Sequence, residues 1–334
     1  MKYIDHAVLD GWLDTLVQEA NLSAPSQVEG ILLYRPVQSN AEVKRNFTRP
    51  MLSIKEVFFP ATERILTIEK TGQSVHLTET MPEGKQVIFG VRPCDAQGIK
   101  ALDALFLDTM PVDAYYARRR ANTTLIGLAC QKMASTCFCT SLGGAPDDPE
   151  GMDLMLTEVD GGYAVQVITE KGQALLNGLT LTDYPGELPS PQLNRPLPIP
   201  TTETWPAHFN DHWWEVMAER CLSCRACAYV CPTCRCFDIR DEVLQNDNGH
   251  DLYERIRCWD SCAGAGYRKI AGGHNPRAVK SVRLRNRFYC KFDYYPQQYG
   301  PTACTGCGRC IDICPVNIDI TEVLGYLVEA GGAR

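Results

Sequence analysis

The cysteines in the last third of the chain are spaced as iron–sulfur ligands are. Two runs share the pattern Cys-x2-Cys-x2-Cys-x3-Cys-Pro, and their cysteines are Cys221, Cys224, Cys227, Cys231, Cys304, Cys307, Cys310 and Cys314. Bacterial-type [4Fe–4S] sites have this spacing, and the fourth cysteine of one run commonly binds the other cluster. The crossed sets are Cys221, Cys224, Cys227 and Cys314 for one cluster, and Cys304, Cys307, Cys310 and Cys231 for the other. The spacing therefore predicts two [4Fe–4S] clusters.

Zinc sites and structural disulfides are the alternative explanations of these runs. Zinc sites usually pair two CxxC units that lie far apart, whereas each run here places four cysteines together. In the iron–sulfur interpretation thiolates fill every coordination position, so the clusters would transfer electrons without binding a substrate. The pattern favours an electron-transfer protein over a zinc scaffold.

Four cysteines of the N-terminal part form a further group: Cys94, Cys130, Cys137 and Cys139. The first two follow the strand-like segments Gln86–Val91 and Thr123–Leu128. Ligands of open α/β sheets bind where the carboxyl ends of the strands meet. We therefore predict a third [4Fe–4S] cluster at this edge. Alternatively, some of these thiols are buried as small hydrophobic side chains, or Cys94 is a redox-active thiol.

The insert between the two runs holds a last group of cysteines: Cys234, Cys236, Cys258 and Cys262. Their CxC and CxxxC spacing is compatible with a further metal site. The alternative is that these thiols pack beside the clusters without binding metal. Cys290 is left over, and we interpret it as a structural cysteine.

Composition excludes several other classes of protein. The chain has 334 residues, is 45% hydrophobic and carries a formal net charge of −7 at pH 7, which argues against nucleic-acid binding. No leader is visible at the N-terminus, and no apolar run approaches the ~20 residues of a membrane span. We expect a protein of the reducing cytoplasm, where cysteines bind metal before they form disulfides. GxGxxG, P-loop and CxxCH motifs are absent from the sequence.

Residues 261–292 contain basic residues but no acidic one. The basic residues are Arg268, Lys269, Arg277, Lys280, Arg283, Arg285, Arg287 and Lys291. One interpretation is a docking face for an acidic partner, and another is a positive field that tunes nearby anionic clusters. The third is a solvated helix and loop.

A proline-rich stretch before residue 200 divides the chain into two predicted domains. Prolines at this density prevent regular structure and are typical of an extended linker. We predict an α/β domain over residues 1–200 and a mainly helical dicluster ferredoxin-like domain over 201–334. The predicted fold class is α+β.

Periodicity places further elements in both domains. Apolar residues at helical spacing predict a helix over 99–106, and alternating residues around a Gly-Gly turn predict a hairpin over 153–168. In the second domain we predict helices over 213–221, 231–244 and 319–327. These helices would bring the two cysteine runs together.

Several segments resemble a known family of electron-transfer subunits. They are residues 89–95 (FGVRPCD), 231–239 (CPTCRCFDI), 259–262 (WDSC) and 271–277 (AGGHNPR), together with both cysteine runs. The resemblance is to the 4Fe-4S dicluster family that includes the beta subunit of cytoplasmic, NAD(P)-linked sulfhydrogenases and the corresponding iron–sulfur subunit of anaerobic sulfite reductase. It covers nearly the whole chain after about residue 50.

The resemblance implies an electron-transfer subunit beside a partner that binds FAD and NAD(P), with a separate catalytic subunit further along. It also implies that Cys234, Cys236 and Cys262 are recurrent motif positions. Related chains carry histidine where this one has Cys290, so the resemblance supports no ligand role for that cysteine.

The leading hypothesis is a non-catalytic subunit that carries electrons between a flavoprotein diaphorase and a hydrogenase or a sulfur or sulfite reductase. The alternative is a reductase subunit that binds its own flavin or substrate in the N-terminal domain, near Cys94. A zinc scaffold is the third hypothesis. The sequence leaves open the terminal acceptor and the choice between NAD and NADP.

Overall fold

A computed structural model describes residues 1–247 and 250–331. The strands in these ranges are β1 (Lys2–Asp5), β2 (Leu22–Val28), β3 (Ile31–Pro36), β4 (Thr62–Thr71), β5 (Ser74–Glu79), β6 (Gln86–Val91), β7 (Thr123–Leu128), β8 (Leu154–Val159), β9 (Gly162–Val167), β10 (Thr182–Asp183), β11 (Phe237–Asp247) and β12 (His250–Trp259). The helices are α1 (His6–Glu19), α2 (Lys55–Phe58), α3 (Pro93–Phe106), α4 (Ala114–Asn122), α5 (Glu170–Leu175), α6 (Thr204–Ala207), α7 (Trp213–Arg220), α8 (Ala226–Tyr229), α9 (Lys280–Tyr289), α10 (Tyr295–Tyr299), α11 (Arg309–Asp312) and α12 (Ile320–Gly331).

The larger sheet has eight strands in the order β10-β1-β9-β8-β7-β6-β2-β3. Its central strands β2, β6, β7 and β8 are parallel, and the outer strands are antiparallel. Helices cover both faces, so a central strand is apolar on both sides. On β6, Val87 and Phe89 pack in the core that includes α1, whereas Ile88 and Val91 pack in the core that includes α3. The predicted strands β6 and β7, the hairpin β8–β9, the helix α3 and the α+β class are confirmed.

A bulge at Gly90 changes the direction of the end of β6. Its φ of 75° lies in the left-handed region, and the pairing of β6 with β7 shifts register between Phe89 and Val91. Because of this extra residue, Val91 faces the same core as Ile88 instead of the opposite one. Bulges of this kind re-aim the side chains that follow. Here the bulge sets the direction in which the chain enters α3 and so the position of Cys94 in the first turn of that helix.

The smaller sheet has four antiparallel strands in the order β11-β12-β4-β5. The helix predicted over 231–244 is therefore wrong, since most of that segment belongs to β11, which pairs with β12 along its length. β11 is an edge strand with mostly exposed side chains, so no alternation of apolar residues marks it. Backbone pairing with the next strand, β12, holds it in place, and such pairing leaves no apolar alternation in an exposed edge strand. The sheet pairs two strands that precede residue 200 with two that follow it. The predicted domain boundary near residue 200 stays a prediction.

A helical core lies after residue 200 and carries the cysteine runs. α7 and α12 confirm two of the predicted helices, and they pack with α9 around an aromatic cluster. In that cluster Trp205 stacks on Phe292 with ring centroids 5.2 Å apart and meets Tyr289 edge-on. Tyr289 also donates from its hydroxyl to Trp205 O at 2.5 Å. In the described part of the chain no helix is long and apolar enough to cross a bilayer.

Candidate metal centres

The two cysteine runs have the same backbone conformation. In each run the residues before and after the second cysteine have left-handed φ values: 54° at Ser223 and 67° at Arg225 in the first, 62° at Gly306 and 74° at Gly308 in the second. A single helical turn follows, α8 or α11, and it carries the third cysteine. This repeat wraps three thiols around one loop, as a cubane cluster requires.

Five cysteines line the pocket beside the first run: Cys221, Cys224, Cys227, Cys310 and Cys314. Four of them are the set predicted from crossed ligation, so the fold brings the distant Cys314 to the first run. Arg287 borders the pocket and donates from Nε to Cys227 Sγ at 3.1 Å and from Nη2 to Cys227 O at 3.2 Å. This arrangement supports the prediction that Cys221, Cys224, Cys227 and Cys314 bind one cluster.

The fourth cysteine of the first run lies beside the second run. Lys291 Nζ donates to Cys231 Sγ at 3.1 Å and to the carbonyl of Ala303, next to Cys304, at 3.0 Å. Burial raises the pKa of Cys304 to about 12 and that of Cys310 to about 11, with the Cys231 charge adding to both shifts. These thiols are protonated at neutral pH, so metal binding there must release protons. The geometry agrees with the second crossed set.

The four N-terminal cysteines meet in one pocket: Cys94, Cys130, Cys137 and Cys139 line it together with Cys307. Arg49 donates from Nη1 to Cys137 Sγ at 2.9 Å. Burial raises the pKa of Cys139 to about 11 and that of Cys94 well above its ordinary value. The predicted third set is therefore brought together at the carboxyl edge of the parallel strands. Its ligation of a cluster stays a prediction.

The cysteines of the insert do not all come together. Cys236 O accepts from the backbone nitrogen of Asp260 at 2.9 Å, which brings Cys236 close to Cys262. The Cys262 thiol is the main reason why the pKa of Cys236 falls to about 6. The backbone nitrogen of Cys234 donates to the carbonyl of Cys231, a member of the second crossed set, at 3.4 Å. Cys258 lies apart from them on β12, opposite Asp238 of β11. The fold brings together three of the four predicted residues.

A buried ion pair that the sequence did not predict joins the second run to α3. Arg309 donates from Nη1 and Nη2 to the two carboxylate oxygens of Asp95 at 2.7 and 2.9 Å. Arg309 is 2% exposed and Asp95 is fully buried. Tyr34 donates from its hydroxyl to the same carboxylate at 3.2 Å. Asp95 follows Cys94 and Arg309 precedes Cys310, so the pair fixes the N-terminal thiols against the second run.

Three buried polar atoms have no hydrogen-bond partner within the described residues: Arg92 Nε, Arg287 Nη1 and Thr305 Oγ1. Thr305 belongs to the second run, and Arg287 contacts Cys227. Burial raises the pKa of Cys130, and the charge of Arg92 opposes that rise. A buried donor without an acceptor destabilises a protein. Sulfur atoms of clusters at these thiols would accept from such donors, so the residues fit [4Fe–4S] clusters.

Cluster geometry also differs from that of a single bound ion. Among residues 1–247 and 250–331, no three side chains of His, Cys, Asp or Glu are placed to hold one metal ion. A cubane cluster instead has one thiolate at each of four iron atoms, so its ligands surround a larger body.

The basic stretch after residue 261 is partly internal. Arg283, Arg287 and Lys291 are 8%, 4% and 3% exposed, so these three side chains cannot form a docking face. Arg287 and Lys291 contact cluster thiols instead, which supports the predicted positive field. The basic residues Arg283, Arg287 and Lys291 are spaced four apart along α9 and the π-helical turn after it. This spacing could have indicated one internal face, because residues four apart lie on the same side of a helix.

Comparison with known proteins agrees with this geometry. Residues 220–318 match the family model described as a 4Fe-4S dicluster domain. The chain is therefore an iron–sulfur protein of electron transfer that binds [4Fe–4S] clusters. Over 333 residues it is 32% identical to sulfhydrogenase 2 subunit beta of Pyrococcus furiosus, and the match covers 95% of each chain. The chain belongs to the family of that beta subunit, which confirms the resemblance seen in its motifs. No solved structure matches it.

Proposed function

We propose that this chain relays single electrons inside an oxidoreductase complex. One partner would be a diaphorase subunit that binds FAD and NAD(P), and the other a catalytic subunit of the hydrogenase or sulfur or sulfite reductase type. The relative named as a sulfhydrogenase subunit favours the hydrogenase type. The chain itself would not be the catalytic subunit, and its cytoplasmic location stays a prediction.

The observation that carries this proposal is the central position of the second run. Cys310 lines the pocket of the first run, and Cys307 lines the pocket of the N-terminal thiols. Cys304 shares a third pocket with Cys94 and Cys139. Three groups of thiols therefore follow one another without a gap, from the dicluster domain into the large sheet. A series of closely spaced cofactors is the arrangement that an electron relay needs.

The residues around the thiols have defined roles in this proposal. The eight cysteines of the two runs would hold two clusters, and the four N-terminal cysteines a third. When bound, such clusters accept and release one electron at a time. Arg287, Lys291 and Arg309 place buried positive charges among the thiols and offset negative charge there. Phe288 and Ile320 help to line the first pocket and exclude water from it.

A cleft beside Cys130 favours the second candidate function. It has a volume of about 700 Å³, within the range of small-molecule sites, and lies at the carboxyl end of β7. Its lining includes Lys132, whose charge suits an anionic group such as the phosphate of a flavin, and Arg45, which also pairs with Asp10. In that case the chain would be a reductase subunit with its own active site.

The test is anaerobic reconstitution of the full chain with iron and sulfide. We expect at least about eight irons per chain and a [4Fe–4S] EPR signal on reduction with dithionite. We also expect no bound flavin and no oxidation of NAD(P)H by the isolated chain.

Two results would contradict the relay. Iron well below about eight per chain without a cubane signal would remove its cofactors. Stoichiometric flavin, or turnover of NAD(P)H by the chain alone, would instead establish the reductase at the cleft.

A further inference from the structure

Cys290 lies beside the cysteines of the insert, although its position in the sequence does not indicate this. It begins the π-helical turn that directly follows α9. Arg235, which stands between Cys234 and Cys236, donates from Nη2 to Cys290 Sγ at 3.4 Å. Cys262 has three thiols close enough to act on it electrostatically, those of Cys236, Cys234 and Cys290. Four cysteines from three separate segments therefore come together.

Cys258 has different surroundings. It lies near the end of β12, paired with Asp238 of β11. After burial, the charges that most affect its thiol belong to Arg240, Asp238 and Asp260. Cys262, in contrast, has other cysteines as its neighbours. Strand pairing thus separates Cys258 from the group that its spacing predicted.

The spread of the four thiols suits a cluster better than a single ion. The carbonyl of Cys236 accepts from the backbone nitrogen of Asp260 at 2.9 Å, two residues before Cys262, whereas the backbone nitrogen of Cys234 donates to the carbonyl of Cys231 at 3.4 Å. Nowhere in the described ranges do three such ligands surround one ion. A [4Fe–4S] cluster holds four thiolates around a larger body.

Two buried lysines lie next to this group. Lys291 Nζ is 3.1 Å from Cys231 Sγ and 3.7 Å from Cys234 Sγ. Lys55 Nζ donates to Cys234 O at 3.2 Å and lies 3.7 Å from the centroid of the Trp259 ring. The two lysines are 3% and 2% exposed. Buried cations need anionic partners, and an iron–sulfur site with four thiolates is anionic.

We propose that four thiols hold a further [4Fe–4S] cluster: Cys234, Cys236, Cys262 and Cys290. Cys258 takes no part in it. Each sulfur binds iron as a thiolate, and a sulfur that still carries its proton releases it to solvent as the sulfur–iron bond forms. Ferrous and ferric ions in equal numbers and inorganic sulfide supply the oxidised cluster, so the protein is neither oxidised nor reduced. That this cluster would take part in electron transfer rests on the function proposed above. That the four cysteines bind it does not.

The test compares Cys290→Ala with Cys258→Ala, as full-length chains reconstituted anaerobically side by side. Iron and acid-labile sulfide are measured per folded chain. We expect Cys290→Ala to hold about four irons fewer than the unaltered chain and Cys258→Ala to hold the same number. Cys236→Ala should show the same loss as Cys290→Ala. The double variant should lose no more, because both residues would serve one cluster.

Further measurements separate lost ligation from misfolding. Near-UV circular dichroism and the EPR signals of the remaining clusters should be unchanged in Cys290→Ala. Cys290→His should recover the iron, since imidazole also ligates iron–sulfur clusters.

Other outcomes would overturn the proposal. Iron loss in Cys258→Ala but not in Cys290→Ala would restore the set that spacing predicted. Unchanged iron in both variants would remove the site, and zinc in place of iron would make it a single-ion site. A chain that has this iron but fails to relay electrons would refute the proposed function and leave the ligand set standing.

Discussion

The two cysteine runs share one backbone but lie in opposite surroundings. In the first run Leu222 is 64% exposed and Cys224 is also exposed. In the second run the corresponding Cys307 is 8% exposed. A Cβ atom on Gly306 would lie 2.5 Å from the backbone nitrogen of Cys139, so this run packs directly on the N-terminal thiols. The ligand spacing fixes the loop, and the residues between the cysteines decide what the loop faces.

This difference gives the two runs different places in the proposed relay. The first run is near the surface, where a partner subunit could exchange electrons with its cluster. The second run is internal and connects the first to the N-terminal thiols. We infer that the order of the relay is surface, second run, large sheet.

The largest expected effect concerns the arginine of each run. Arg309→Met leaves Asp95 charged and buried without its partner, and we expect a loss of about 3–5 kcal/mol in the free energy of unfolding. The matched control is Arg225→Met in the first run, whose pair with Asp260 at 3.2 Å is partly exposed. That change should cost at most about 1 kcal/mol. Chemical denaturation of both variants measures the difference, and equal losses would contradict the contrast between the runs.

A smaller effect is expected at the left-handed positions. Gly306→Ala adds a Cβ at a φ of 62° and against the Cys139 backbone. We expect at least about 1–3 kcal/mol of destabilisation from the backbone conformation, and iron loss from the second run. Ser223→Gly is the equivalent change in the first run and should preserve iron while relieving strain at its φ of 54°. Thermal unfolding and iron content check both variants. An unchanged iron content in Gly306→Ala would show that cluster binding does not need the close contact between residue 306 and the Cys139 backbone.

The smallest effect concerns the reduction potential near the first run. Arg287→Gln removes a buried positive charge and a hydrogen bond to Cys227 Sγ, both of which favour the reduced cluster. We expect the potential to fall by about 60 mV, a tenfold change in a one-electron equilibrium. Arg285→Gln on the same helix is the control, since Arg285 donates to Phe209 O. EPR-monitored titration measures both, and an equal shift in the two variants would argue against a local effect.

Local sequence is sufficient to predict the strands and helices that have strong apolar patterns. It predicts β6 and β7 to the residue, because both are short apolar runs that are buried on two faces. The cysteine runs are equally clear, since their chemistry needs fixed spacing. β11 cannot be predicted in this way, because its side chains are mostly exposed and its backbone pairing with β12 leaves no apolar pattern.

Contacts between distant parts of the chain also leave no local signal. Asp95 and Arg309 lie 214 residues apart, and neither has a local indication of burial. Spacing alone includes Cys258 in the insert group and leaves Cys290 out. The fold reverses their surroundings, because Cys290 lies beside Arg235, whereas the β11–β12 pairing places Cys258 opposite Asp238.

The smaller sheet has a consequence for how the protein is made. β4 pairs with β5 on one side soon after both are synthesised, but its other edge pairs with β12, where Thr71 lies opposite His250. At usual rates of synthesis that edge remains open for roughly 10–40 s on the ribosome. Open strand edges invite pairing with other chains. The nascent protein should therefore depend on chaperones until β12 has been synthesised.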